Sequence, residues 1–362
     1  MPAAAEVRFL GEECPGDFFR IVIESLADSF DPRQSAAYDE LMATWDLHRG
    51  ASPAAVPPRV ETVYVLSRVT LGADIKIVSP ILNAMKQRFA DARIVFVAGR
   101  KSIELFEADP RLEFLEAAYP RSGPVSLRIV FGHELRERLS APRSIVVDPD
   151  SRMTQLGLIR VCEPERFFHF ASRTEGATED NLTDLTAGWM KRTFGFSGAA
   201  FVAPKTVSVE GESPRAAISL GVGENESKRV PGDFEARLIW LVGQRYRTIY
   251  VDRGAGGEEA RRVTAAVEAS GVASRVRYWE GSFAGFVSVV AQSDFYAGYD
   301  SAGQHAAAAA GVPLVSIFAG APSGVFRSRW APGGAGLRKV LDAAGMTGDE
   351  LLQRIAEVIN AG

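Results

Sequence analysis

Tyr299-Asp300-Ser301-Ala302-Gly303-Gln304-His305 is a polar turn set between an apolar run, Phe295 to Tyr299, and an unbroken stretch of alanines ending at Ala310. Gly311 and Pro313 stop that alanine-rich helix. A strand, a polar turn and a short helix aim unpaired backbone N–H groups and a positive dipole end at whatever lies beyond the strand. The chemistry that fits is anion binding, and phosphate is its natural object. Ser301, Ala302 and Gly303 would supply the amides, with Asp300 and His305 beside them. Taken alone, such a turn is more often a plain helix cap through Asp300 or Ser301.

Three further loops carry complementary residue types. Ser67-Arg68-Val69-Thr70-Leu71-Gly72-Ala73-Asp74 follows an apolar, β-branched run, Thr62 to Leu66, and opens a helix. At the carboxyl end of a strand, Asp74 is either a helix cap or a general base toward a substrate hydroxyl. Arg68 would orient that carboxylate or, with Thr70 and Gly72, contact a ligand anion. Gly221-Val222-Gly223 precedes Lys228 and Arg229. Its glycines let backbone approach a ligand closely, and the two cations would neutralise a diphosphate or simply form a solvated pair. After the next strand, Asp252 and Glu258 offer carboxylates for ribose hydroxyls, although an acidic helix start accounts for them as well. A fourth loop, Asp148 to Arg152, is a charged turn or an acceptor contact.

The elements that must hold these loops alternate. Strands are expected at 93–98, 112–115, 127–131 and 144–147, with helices over 75–89, 101–107 and 181–194. A second alternating series follows the Gly- and Pro-rich connector 197–214. Continuous apolar strands alternating with helices imply parallel sheets covered on both faces. The expectation is α/β architecture: two doubly wound Rossmann-like domains facing a central cleft, with an N-terminal helical extension. The divisions are 1–57 (amphipathic helices 17–30 and 35–47, then a linker), 58–200, 201–335, and a helical tail 336–362 that packs back on the first domain. With 41 Lys+Arg against 45 Asp+Glu, the net charge of −4 gives no basic footprint for nucleic acid. Two cysteines and four separated histidines argue against a disulfide framework or a zinc cluster. No apolar run approaches membrane-spanning length, so a cytoplasmic protein with at most peripheral membrane contact is expected.

From about Val60 to Pro332, the chain resembles the bacterial heptosyltransferase-like family 9 glycosyltransferases. Arg68, Asp74 and Pro80 match that family's leading loop and helix, with Ala73 where it usually has glycine. Asp300, Ser301, His305, Gly311 and Pro313 match its most specific turn. Lys228, Arg229 and Pro231 match its lysine loop, with Val230 in place of the usual tryptophan. Its ribose-binding acid falls near Gly256, so Asp252 or Glu258 would substitute. The resemblance implies a GT-B fold and a metal-independent, inverting transfer from ADP-heptose, typically in lipopolysaccharide biosynthesis. It needs no cofactor, because the nucleotide sugar is a substrate. Carried over, Asp74 deprotonates the acceptor hydroxyl of a saccharide, lipid-linked sugar or small metabolite. Lys228 and the amides around Ser301 to Gly303 take the departing diphosphate, with His305 lining its pocket. The alternatives are a nucleotide-sugar epimerase or hydrolase of the same fold, or a non-catalytic nucleotide-binding descendant.

Overall fold

The computed structural model describes residues 52–361 apart from 54, 122–124, 158, 160, 177, 178, 223–225, 255 and 335. The expected N-terminal helices and the candidate Gly223 lie outside the described residues. The chain divides into two compact units.

The first unit holds a parallel sheet of β1 (Thr62–Leu66), β2 (Arg93–Ala98), β3 (Leu112–Glu116), β4 (Ser144–Asp148) and β5 (Phe167–His169), ordered β3-β2-β1-β4-β5. All five residues of β1 and all five of β4 are buried, as fully covered apolar strands require. On one face, Phe131 and Leu135 of the helix Val125–Arg138, and Leu139 just beyond it, pack with Tyr64, Val95 and Val146. On the other, Phe168, Phe170, Trp189 and Phe194 form an aromatic layer, with Phe170 and Trp189 stacked at 5.0 Å. Residues 127–131 are therefore helical, not a strand. Their run of apolar side chains mimics a strand, but the buried positions recur every four residues through Leu139. The short helix expected at 101–107 spans only Arg100–Ile103. Ser52 closes the free edge of β5: its hydroxyl donates to the His169 carbonyl (2.9 Å) and accepts from the His169 N–H (3.0 Å).

The second unit holds β6 (Arg215–Ser219), β7 (Thr248–Asp252), β8 (Val276–Trp279), β9 (Phe295–Tyr299), β10 (Leu314–Phe318) and β11 (Arg338–Asp342), ordered β11-β10-β9-β6-β7-β8 and parallel throughout. The expected helical tail thus begins as an edge strand, whose charged Arg338 and Lys339 hid it. The helix Gly348–Ala361 follows and buries Leu351, Ile355 and Ile359 in the second unit's own core. Residues 331–362 belong to the second unit, whereas Pro322–Trp330 belongs to the first. There Arg329 donates to the carbonyls of Ser172 (3.3 Å) and Glu175 (2.9 Å), and Asn181 donates to the Ser328 carbonyl (3.2 Å). No helix among the described residues is long and apolar enough to cross a membrane.

Candidate functional site

In each unit the strand order reverses beside the first strand, between β1 and β4 and between β6 and β9. Loops leaving the carboxyl ends of those strands diverge, which opens a crevice there. Each crevice holds one group of the candidate residues.

In the first unit, Asp74 opens a π-helical turn, Asp74–Val78, that continues into the helix Ser79–Arg88. π-turns inside helices often mark functional positions. The Asp74 side chain is fully buried, with Ser67 Oγ donating to Oδ2 (2.7 Å) and the Arg68 N–H donating to Oδ1 (2.7 Å). The Ser102 hydroxyl bonds it as well. Burial raises its pKa from 3.8 to about 6, against the Ser102, Ser67 and Arg68 interactions that favour the charged form. Val69 is held at φ 71, an outlier for a β-branched residue, and its N–H bonds Ser67 Oγ. Thr70 and Gly72 are half-buried at the start of the helical segment, and the Thr70 side chain makes no cap bond.

Arg68 lies inside this framework, 3% exposed, with Nη1 donating to Ser172 Oγ (2.6 Å). The sequence offers it as a partner that orients the carboxylate or as a ligand contact; its N–H holds Asp74 and its side chain ties two loops together. Asp148 is likewise turned inward, accepting from the Ser151 N–H (2.6 Å) and the Thr154 hydroxyl (2.5 Å). Arg152 begins the 3₁₀ turn Arg152–Thr154 on the same loop. Two buried neighbours were not foreseen from sequence. His169 has Nδ1 3.5 Å from Asp148 Oδ2 and Nε2 3.8 Å from Asp150 Oδ1. Asp150 pairs with Arg173 at 3.2 Å.

The raised pKa of Asp74 has a consequence for stability. Between pH 4 and pH 6 the unfolded chain gives up this proton while the folded chain keeps it. Stability from this group is therefore full near pH 4 and falls as pH rises through 6, by about 3 kcal/mol for a shift from 3.8 to about 6. Urea unfolding from pH 4 to 7 should show wild type losing stability relative to Asp74→Asn as pH rises. A difference that stays flat across this range refutes the raised pKa.

In the second unit, Ser301 precedes the helix Ala302–Ala309 with extended backbone and makes no side-chain cap bond, which leaves the first turn's amides to another acceptor. Asp300 is buried at the end of β9. Its Oδ2 accepts from Lys228 Nζ (2.9 Å) and its Oδ1 from Gln304 Nε2 (2.6 Å). The carboxylate thereby holds the lysine beside the helix start. Gly303 is required here, because a Cβ would lie 2.2 Å from Tyr296 Oη. His305 is buried one turn in. On the lysine side, Gly320, at φ 65, comes so close to the Ser227 carbonyl that a Cβ would lie 2.3 Å from its oxygen.

Two sequence candidates, Arg229 and Glu258, are placed differently from their expected roles. Arg229 is bound to Glu226 (2.7 Å) and Glu235 (3.2 Å), and Glu235 also binds Arg262 (2.6 Å). Glu258 is 84% exposed and pairs with Arg261. Its neighbour Glu259 is the acid that turns inward. A Cβ on Gly221 would lie 2.5 Å from Glu259 Oε1, and one on Gly254 2.3 Å from its carboxyl carbon. Asp252 is close by, its pKa raised by burial, lowered by the Gly254 N–H and raised again by the Glu259 charge. Helical phase would have identified Glu259: Val263 and Val267, the helix's buried residues, lie four and eight positions on.

No family model and no curated protein matches this sequence. Solved structures do match its fold. A family 9 glycosyl transferase from Veillonella parvula aligns over 83% of this chain and 98% of its own, with a TM-score of 0.63 and 13% identity. The E. coli heptosyltransferase WaaC with ADP aligns over 82% and 99%, with a TM-score of 0.60 and 17% identity. E. coli ADP-heptose lps heptosyltransferase II aligns over 83% and 99%, with a TM-score of 0.57 and 17% identity. The chain has the two-domain α/β GT-B fold of these proteins.

Proposed function

We propose that the chain is an inverting glycosyltransferase that moves a sugar from a nucleoside diphosphate, with ADP-heptose the leading donor, to an acceptor hydroxyl. Asp74 takes the hydroxyl proton as the acceptor oxygen bonds the anomeric carbon. The bond from that carbon to the diphosphate breaks, and its electron pair leaves with the phosphate oxygen. Lys228 and the amides of Ser301, Ala302 and Gly303 receive the negative charge so formed. Glu259 and Asp252 are the acids suited to ribose hydroxyls, in place of Glu258. Because Lys228 and a helix start handle the anion, a chelator should leave the rate unchanged.

The observation that best supports this reading is Asp74 itself. It is a carboxylate at the strand-order reversal, held by two serine hydroxyls and a backbone N–H, with a pKa of about 6. That value suits a base working near neutrality. In the reaction, the acceptor hydroxyl replaces one of the serine hydroxyls on the carboxylate. The similarity to WaaC bound to ADP and to an ADP-heptose heptosyltransferase supports the choice of donor.

Incubation with ADP-heptose, with and without candidate saccharide acceptors, tests the reading through ADP release. Release that depends on acceptor, giving a product inverted at the anomeric carbon, is the expected result. Equal release without acceptor would make the protein a hydrolase, and failure to bind ADP-heptose would remove the donor.

A further inference from the structure

We propose that Asp150 is a positioning residue for Asp74: it holds Arg173 directly and Arg68 through the Ser172 hydroxyl, and so fixes the turn whose N–H grips the Asp74 carboxylate. This rests on the reading of Asp74 as the base.

Asp150 is fully buried and left-handed, at φ 67, two residues beyond the end of β4. Aspartate and asparagine tolerate that conformation better than other non-glycine residues, and the strain persists only where surrounding contacts enforce it. Here they do. Oδ2 accepts from the Arg173 N–H (3.0 Å), and the backbone carbonyl accepts from Arg173 Nη1 (2.7 Å). Ser172 Oγ sits 3.4 Å from the same Oδ2 and accepts from Arg68 Nη1 at 2.6 Å. Arg68 then reaches Asp74 through its own N–H. A second tie runs alongside, from the Ser151 hydroxyl to the Ser67 carbonyl. The loop after β4 thus supports the loop after β1 from both sides.

The charges are arranged in the same order. Arg68 is the one cation acting on Asp74 among its main influences, beside the hydroxyls of Ser67 and Ser102. Asp150 faces Arg173, His169 from β5, and Arg68 through Ser172, while Asp148 meets the other nitrogen of the same imidazole. The negative charge on Asp150 offsets part of the Arg68 field. Without it, Arg68 favours the ionised form of Asp74 more strongly.

The test compares the full chain with Asp150→Asn, which keeps the side-chain shape and suits the left-handed backbone. In each background, the Asp74-dependent part of stability is the difference from the matching Asp74→Asn protein, read by urea unfolding from pH 4 to 7. In Asp150→Asn its midpoint should fall by about one pH unit. Turnover at neutral pH should fall about tenfold through lost orientation, with ADP affinity unchanged. An unmoved midpoint overturns the proposal, even in a variant that is less stable or less active. The midpoint is read without turnover, so its shift supports the coupling even if the chain transfers no sugar. Should Asp150→Asn not fold, Ser172→Ala cuts the same bridge and leaves every charge in place. It should lower kcat about tenfold at constant ADP affinity, and full activity there overturns the proposal.

Discussion

Asp74→Asn is expected to lower transfer by about 10²- to 10⁴-fold, the usual contribution of a positioned general base, while ADP affinity stays within about twofold of wild type. The change is nearly isosteric. The amide oxygen can still accept from the Arg68 N–H, which now donates at 2.7 Å, and the Ser67 hydroxyl can rotate to meet the amide. What disappears is proton affinity. Asparagine also carries no buried charge, so the variant should be the more stable protein at neutral pH. Loss of activity with a gain in stability is the signature of a group retained for chemistry, and misfolding cannot produce it. The measurements are ADP release with the productive acceptor, ADP binding by calorimetry, and urea midpoints at pH 7. Turnover at the wild-type rate would remove Asp74 from its role.

Much of the fold was legible because strands such as β4, β6 and β10 are apolar runs with proline beside them. β1 and β4 needed no tertiary information. Asp74, Lys228 and the turn at Asp300 to His305 were legible for a related reason: each sits on the loop that leaves such a strand. The residues that were missed act across the chain. Asp150 and His169 come near the Asp74 loop only through sheet order, which places β4 beside β1 although β2 and β3 intervene in sequence, and Ser102 comes from the helix after β2, β1's other neighbour. Charged side chains that end up buried were also hidden. Lys76 is 2% exposed and bonded to Asn181 (2.8 Å) and Thr183 (3.1 Å), over a hundred residues away. Read locally, such a lysine belongs to a solvated helix face. The strand expected at 127–131 failed for the converse reason: a short apolar run has no period of its own, and only the downstream Leu135 and Leu139 reveal a helix.

Lys228→Ala should lower kcat/KM by about 10²- to 10³-fold and weaken ADP binding, whereas Arg229→Ala should lower kcat/KM by less than tenfold. Neighbours in sequence, the two cations differ in what already holds them. Arg229 is shared between Glu226 and Glu235, and its charge is largely answered within the unit. Lys228 has a half-buried ammonium 2.9 Å from Asp300, at the uncapped start of the helix Ala302–Ala309. An ammonium has three protons to give, and Asp300 Oδ2 takes one of them. Removing the lysine therefore has two effects. The diphosphate loses a cation, and the buried Asp300 carboxylate then stands against it with like charge. The double variant Lys228→Ala/Asp300→Asn removes the second effect and should recover part of the ADP affinity lost by Lys228→Ala alone. Calorimetry with ADP across the four proteins separates the terms. If Arg229→Ala lost as much affinity as Lys228→Ala, or if Asp300→Asn gave no recovery, the anion would have to sit elsewhere in the second unit.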